Sequence, residues 1–398
     1  MPSKRSQRRH PSEGIFARSW RCGRGAGTTE RPRERQTDAA LKTGKWRPDY
    51  HATDIEKWRN AGNQPGGKNM GHTRRAFLQT GLISIAFIGS SSECLFADDT
   101  AGPIRIGILI PGSKADHGWM ESAYNGMKAA EQRHSKKVAI TSIENVKFAD
   151  MEQALVTLAT KNDMVIGAAG QTQASVLKVA KRFPKVKFAI VGPTGQPTDN
   201  VAQYDVLQAQ IGFIAGAVAA MMSKNGAVSY VGGLEIPAIV NTGTEFANGA
   251  KYVKPDTKCF MTYTGDFDDV AKAKEATLAA IAQGADIHYN ILNLGVRGME
   301  QASREKGTKM IGSYSNYCSD NNPLYIAYTV SGIGFMVEYA INQAVAGTWH
   351  PEYKQFGLTM GPQSADIQIC TGATPEILAK IKELKDDLLS GKIKVKVG

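Results

Sequence analysis

The stretch Asp116-His117-Gly118-Trp119 places an acid, an imidazole and a large aromatic ring within four residues. Trp119 could stack on a planar ligand or serve as a packing anchor. Asp116 could accept N–H groups of a ligand or cap the start of a helix. His117 could ligate a metal, but no second histidine or cysteine lies at helical spacing from it, so we expect no metal site.

A second aromatic residue, Phe267, lies in the segment Gly265-Asp266-Phe267-Asp268-Asp269. It could form a second wall opposite Trp119 around a flat heterocycle, or it could be the hydrophobic residue that packs at a helix start. The other candidate ligand-binding residues are polar and uncharged: Gln171, Thr194, Asn293, Tyr314 and Asn316. Neutral donors and acceptors favour a neutral solute over a phosphorylated one, which would favour arginine or an exposed helix N-terminus.

Motifs of common enzyme classes are missing from the chain. It has no GxSxG, HExxH or phosphate-binding glycine loop, and the histidines of the body are dispersed. An enzyme acting on a small solute would need a group that activates water, and no paired carboxylates are evident. We therefore expect a binding protein without catalytic residues and without a cofactor.

The elements that position these residues alternate between short apolar runs and amphipathic stretches. Ile104–Ile110 (IRIGILI) predicts a buried parallel strand, and residues 119–133 predict a helix. The alternation restarts after residue 208, where an uncharged segment could be a membrane span or a crossover helix, and its glutamines and glycines favour the second. We expect an α/β fold with two similar, doubly wound parallel-sheet lobes joined by a hinge, with the ligand in the cleft between them.

The lobe boundaries follow from the same alternation. Residues 98–205 plus about 324–350 are expected to form the N-terminal lobe. Residues 206–323 plus about 351–398 are expected to form the C-terminal lobe.

The net charge of +11 is concentrated in a leader. Residues 1–97 contain 18 Lys/Arg against 8 Asp/Glu, which leaves 30 against 29 in the rest of the chain. A neutral body excludes a polyanion-binding surface of the kind that binds nucleic acid. Residues 1–69 lack apolar periodicity, so we expect a disordered basic extension, either a basic arm or sequence preceding the true initiator, Met70.

Residues 70–97 predict an export signal. Arg74 and Arg75 precede a short apolar region and small polar residues, which resembles a twin-arginine signal with cleavage after Ala97. The apolar part is shorter than the roughly 20 residues of a membrane span. A lipoprotein through Cys94 is an alternative that the neighbouring Glu93 disfavours. We expect a soluble periplasmic protein.

Three cysteines remain in the body, Cys259, Cys318 and Cys370, with no CxxC spacing. They indicate neither a disulfide framework nor a zinc site, and whether any two of them pair stays open.

Several segments of the body resemble the basic membrane protein family of ABC-importer substrate-binding proteins. They are residues 228–237 (VSYVGGLEIP), 246–251 (FANGAK), 254–256 (KPD), 262–269 (TYTGDFDD) and 347–349 (GTW). The resemblance covers essentially residues 104–398. It implies a type I periplasmic-binding fold and a purine base or nucleoside held between Trp119 and Phe267, with Asp116 as a further ligand contact. It also implies delivery to permease subunits in the inner membrane, and we expect a monomer.

The chain departs from nucleoside-binding members of that family at three places. It has Trp119-Met120 for Phe-Asn, Asn293-Leu294-Gly295 for Gly-Gly-Thr-Gly, and Tyr314-Ser315-Asn316 for Asp-Ser-Asp. The loss of two acids removes the usual partners of ribose hydroxyls, which favours a free base or another flat polar molecule. A ligand sensor with the same cleft is an alternative function. A DNA-binding regulator is excluded because an export signal replaces the N-terminal DNA-binding domain.

Overall fold

The computed structural model describes residues 102–192, 195–318 and 322–396. The leader, with Met70, the arginine pair and Cys94, lies outside the described residues, as does Thr194. The predictions made for them are therefore not addressed by the fold.

The first lobe is built on a six-stranded parallel sheet. Its β-strands are β1 (Ile104–Ile110), β2 (Val138–Glu144), β3 (Met164–Gly167), β4 (Lys187–Val191), β5 (Val201–Val206) and β11 (Tyr353–Phe356). The strand order is β11-β5-β4-β3-β1-β2, and all neighbours are parallel. Helices α1 (Trp119–His134), α2 (Met151–Lys161), α3 (Gln173–Ala180) and α8 (Ile333–Val345) pack against it. Strand β1 is buried from its third residue onward, as its apolar run predicts.

The second lobe repeats the arrangement. Its strands are β6 (Ala227–Gly232), β7 (Lys258–Tyr263), β8 (Ile287–Ile291), β9 (Lys309–Ser313), β10 (Tyr325–Val330) and β12 (Asp366–Ile369). They lie in the order β12-β10-β9-β8-β6-β7, parallel except for β12, which is antiparallel to β10. The helices are α4 (Gln208–Met222), α5 (Pro237–Val253), α6 (Val270–Ala282), α7 (Val296–Lys306) and α9 (Pro375–Leu389). The expected α/β fold with two similar lobes is confirmed.

Towards the C-terminus of the chain, the boundaries of both lobes differ from the expected ones. Residues 325–330 belong to the second lobe, because β10 pairs with β9. Residues 353–356 belong to the first lobe, because β11 pairs with β5 and Phe356 is fully buried against Tyr204. Within the described residues, the chain therefore crosses between the lobes three times, after β5, after β10 and after β11.

Helix α4 is buried on nearly all sides, as a crossover helix should be. It lies so close to α5 that a Cβ at Gly216 would be 1.8 Å from the carbonyl oxygen of Phe246. Among the helices of the described ranges, none combines the length and the apolar character that crossing a membrane requires.

Candidate functional site

The loop that follows β1 in the first lobe contacts the loops that follow β8 and β9 in the second. The loops that follow β3 and β4 contact Trp119 from within the first lobe. In open parallel sheets, ligands bind at these carboxyl ends of the strands. The residues that the sequence predicts as ligand contacts are distributed over these loops and the loop after β7.

Asp116 lies in the loop after β1 and is 3% exposed. Its carboxylate accepts hydrogen bonds from the backbone N–H groups of Gly118 (2.8 Å), Met120 (3.1 Å) and Glu121 (3.0 Å). Burial raises the pKa of the carboxyl group, while these three hydrogen bonds oppose the increase. Of the two roles expected for Asp116, the structure shows the one at the start of a helix, since both oxygens bind backbone groups of α1 and its approach.

Trp119 is half-buried at the first residue of α1. Its indole Nε1–H donates a 2.8 Å hydrogen bond to the carbonyl oxygen of Ala168, at the end of β3. The ring lies over Gly192, where a Cβ would be 2.4 Å from Cζ2. It also contacts the second lobe, with its centroid 6.3 Å from that of Tyr314 at an interplanar angle of 67°. The indole is thus fixed by its own lobe and reaches the other.

Tyr314 follows β9 in the second lobe with a φ of 68°, a left-handed conformation that is uncommon for a bulky residue. Its backbone N–H donates to the carbonyl oxygen of Thr329 (3.2 Å), and its hydroxyl accepts from Nε2 of Gln208 (3.1 Å). Burial raises the pKa of the phenol, so the hydroxyl stays neutral. Backbone strain of this kind concentrates at functional sites.

Phe267 and Asn293 are joined through their backbones. The carbonyl oxygen of Phe267 accepts the N–H groups of Asn293 (3.0 Å) and Gly295 (3.1 Å). The ring of Phe267 packs over Gly233, where a Cβ would be 2.1 Å from Cδ1. The Asn293 side chain reaches the other lobe, because its Oδ1 accepts the backbone N–H of Trp119 at 3.3 Å. The stacking role of Phe267 stays a prediction.

The structure leaves two candidates at the surface. Gln171 and Asn316 are exposed, and the Asn316 side chain accepts the backbone N–H of Cys318 at 3.0 Å. Their roles as ligand contacts stay predictions.

A disulfide bond joins Cys318 and Cys370, with Cα atoms 4.9 Å apart, while Cys259 is free. The bond links the loop that contains Tyr314 to the residue that follows β12. This settles the pairing that the spacing of the cysteines left open.

The contact between Arg297 and His117 was not predicted from the sequence. Arg297 is the second residue of α7, and its Nη2 lies 2.9 Å from Nε2 of His117 in the other lobe. One signal was present, since Arg297 is the first charged residue after the polar loop that contains Asn293. No group of three or more metal-ligating side chains occurs in the described part of the chain.

Aromatic rings and neutral hydrogen-bonding groups lie where the two lobes meet. This combination suits the binding of a small molecule. Residues 104–362 match the family model described as ABC transporter substrate-binding protein PnrA-like. Solved structures of similar fold include an ABC transporter solute-binding protein from Aeropyrum pernix K1. Its TM-score is 0.66 at 22% identity, over 74% of this chain and 94% of that one. Another, from Conexibacter woesei, has a TM-score of 0.63 at 21% identity, over 74% and 99%.

Among curated proteins, a purine-binding protein of Brucella abortus is 28% identical over 65% of this chain and 73% of its own length. Basic membrane protein A2 of Borrelia garinii is 27% identical over 52% and 62%. The ABC transporter nucleoside-binding protein BmpA of Lactococcus lactis is 22% identical over 81% and 99%. The chain therefore belongs to the family of PnrA-like ABC transporter substrate-binding proteins.

Proposed function

We propose that the protein binds a purine base in the cleft between its lobes and delivers it to an ABC permease in the inner membrane. The observation that supports this best is the fixed indole of Trp119. Its Nε1–H is already used by Ala168, so the ring offers a ligand its face and not a hydrogen bond. A rigid aromatic face favours a flat ligand at little entropic cost.

The remaining polar groups favour a base over a nucleoside. The Asp116 carboxylate is occupied by backbone N–H groups, so it is poorly placed to hold ribose hydroxyls. The Tyr314 hydroxyl accepts from Gln208 and keeps its own proton to donate. The Asn293 Oδ1 accepts from Trp119, which leaves its amide N–H groups as donors. Two donors match the ring nitrogens and carbonyl oxygens of a purine. The similarity to relatives named for purine and nucleoside binding supports the same ligand class.

Titration calorimetry with adenine, guanine, hypoxanthine, xanthine, adenosine and inosine tests the proposal. We expect at least one free base to bind more tightly than its nucleoside. Native mass spectrometry of protein purified from cells identifies a co-purifying ligand, and we expect that ligand to be recovered chemically unchanged. Binding of a sugar or an amino acid while all purines fail would refute the ligand class.

We also propose that the protein is exported through the arginine pair Arg74-Arg75 and matures near Asp98. The Cys318–Cys370 bond supports this, because disulfides persist mainly in oxidising compartments. Lysine substitutions of both arginines should abolish the periplasmic fraction, whereas deletion of residues 1–69 should leave it unchanged. A periplasmic yield that survives both lysine substitutions would indicate another route.

A further inference from the structure

A polar contact joins the two lobes beside the aromatic residues. Nη2 of Arg297 lies 2.9 Å from Nε2 of His117. A guanidinium group has only donors, so Nε2 of His117 must be the acceptor and the imidazole proton must lie on Nδ1. Nδ1 is 3.9 Å from a carboxylate oxygen of Glu121.

The backbone around His117 is arranged to hold the imidazole in this place. His117 has a φ of 56°, which is uncommon for a residue other than glycine. Its N–H donates to the Glu121 carboxylate at 2.9 Å, so Glu121 supports both the backbone and the ring. The imidazole is about half exposed, so the contact lies at the rim of the site.

The lobes also touch directly next to this pair. The backbone N–H of Trp119 donates to Oδ1 of Asn293, and a Cβ at Gly118 would be 2.2 Å from the same atom. The loop after β1 and the loop after β8 are therefore in van der Waals contact. When the lobes separate, the hydrogen bonds of Arg297 and Asn293 to the first lobe must break.

We propose that Arg297 and His117 stabilise the closed cleft through this direct contact between the lobes. This inference rests on the proposed function, because closure matters only if a ligand binds between the lobes. The two residues are positioning residues, since neither lies on the aromatic faces offered to the ligand. Their effect on affinity comes through the population of the closed state.

The test compares Arg297→Ala, His117→Asn and the double variant with the parent. Asparagine tolerates the left-handed backbone at position 117. Arg304→Ala is the matched control, since Arg304 is an exposed arginine on the same helix. Calorimetry with adenine and with hypoxanthine should show that each single variant binds about 3- to 10-fold more weakly than the parent. This loss is smaller than that of a buried hydrogen bond to a charged group, because the imidazole is about half exposed. The double variant should be no weaker than the singles, and Arg304→Ala should match the parent.

A further measurement separates this role from a loss of fold. Small-angle scattering without ligand should show a larger radius of gyration for Arg297→Ala than for the parent, with unchanged melting temperature. If purines bind parent and variants equally, the inference fails and the proposed function stands. If no purine binds the parent, the ligand class fails, and equal radii of parent and Arg297→Ala would then overturn the inference as well.

Discussion

The indole of Trp119 is seated on Gly192, at a distance that no side chain at position 192 would allow. Together with the hydrogen bond to Ala168, this contact fixes the ring from within one lobe. Its orientation therefore does not depend on a ligand, and a preorganised aromatic face lowers the entropic cost of binding.

Trp119→Ala should weaken purine binding by roughly 5- to 150-fold, since stacking of a base on an aromatic side chain contributes about 1–3 kcal/mol. The fold should remain largely intact, because the ring is only half-buried. Titration calorimetry and thermal melting check both statements. Phe148→Ala is the control, since Phe148 is an aromatic residue of the same lobe that is 67% exposed. A melted protein would instead identify Trp119 as a packing anchor.

Asp116→Asn should lower the free energy of unfolding by about 1–2 kcal/mol, because an amide has one acceptor oxygen where three backbone N–H groups are now satisfied. Urea denaturation measures the loss. Asp150→Asn is the control, since Asp150 also precedes a helix but makes no capping hydrogen bond. Unchanged stability with weakened purine binding would assign Asp116 to the ligand.

The Cys318–Cys370 bond joins residues that are 52 positions apart in sequence. It should stabilise the protein by about 2–4 kcal/mol, because it restricts the unfolded chain. Cys318→Ser should lose that amount in urea denaturation, and ligand affinity should fall as well, because the loop containing Tyr314 loses its link to the second lobe's sheet. Cys259→Ser should leave both quantities nearly unchanged, since this cysteine is free. An equal loss in both variants would contradict the expectation.

His288 should make stability depend on pH. The ring is fully buried between Ser229 and Thr308, and burial lowers its pKa to about 4. Above about pH 6.5 the imidazole is neutral in both states. As pH falls from there to about 4, only the unfolded chain takes up the proton, which costs about 3 kcal/mol of stability. Urea denaturation across this range should show a smaller loss for His288→Gln, and parallel curves would refute the assignment.

Strands with continuous apolar runs were predictable from the sequence, and Ile104–Ile110 has the expected bounds. Strands β5, β11 and β12 were not, because their sequences (VAQYDV, YKQF and DIQI) mix polar residues with apolar ones. Their polar groups are satisfied by distant partners, such as the hydrogen bond from Tyr353 to Asp205 at 3.1 Å. Local periodicity contains no information about a partner 148 positions away.

The proximity of Trp119, Asn293 and Tyr314 was predictable from the sequence, because the carboxyl ends of parallel strands converge. Their roles as ligand contacts stay predictions. The carbonyl oxygen of Ala168 was missed because backbone acceptors leave no pattern in sequence. The contact of Arg297 with His117 was missed because the position of Arg297 after the polar loop does not identify its partner. The occupation of Asp116 by backbone groups depends on loop geometry, which residue types alone do not determine.

The position of β11 in the first sheet sets an order of events during protein synthesis. The outer edge of β5 stays unpaired until Tyr353–Phe356 has left the ribosome, and α8, which packs against β1, β3 and β4, emerges shortly before. A nascent chain that ends between these strands therefore exposes an open sheet edge and an uncovered sheet face, which are sites of aggregation. The first lobe to be translated is thus completed only after nearly the whole second lobe has been made.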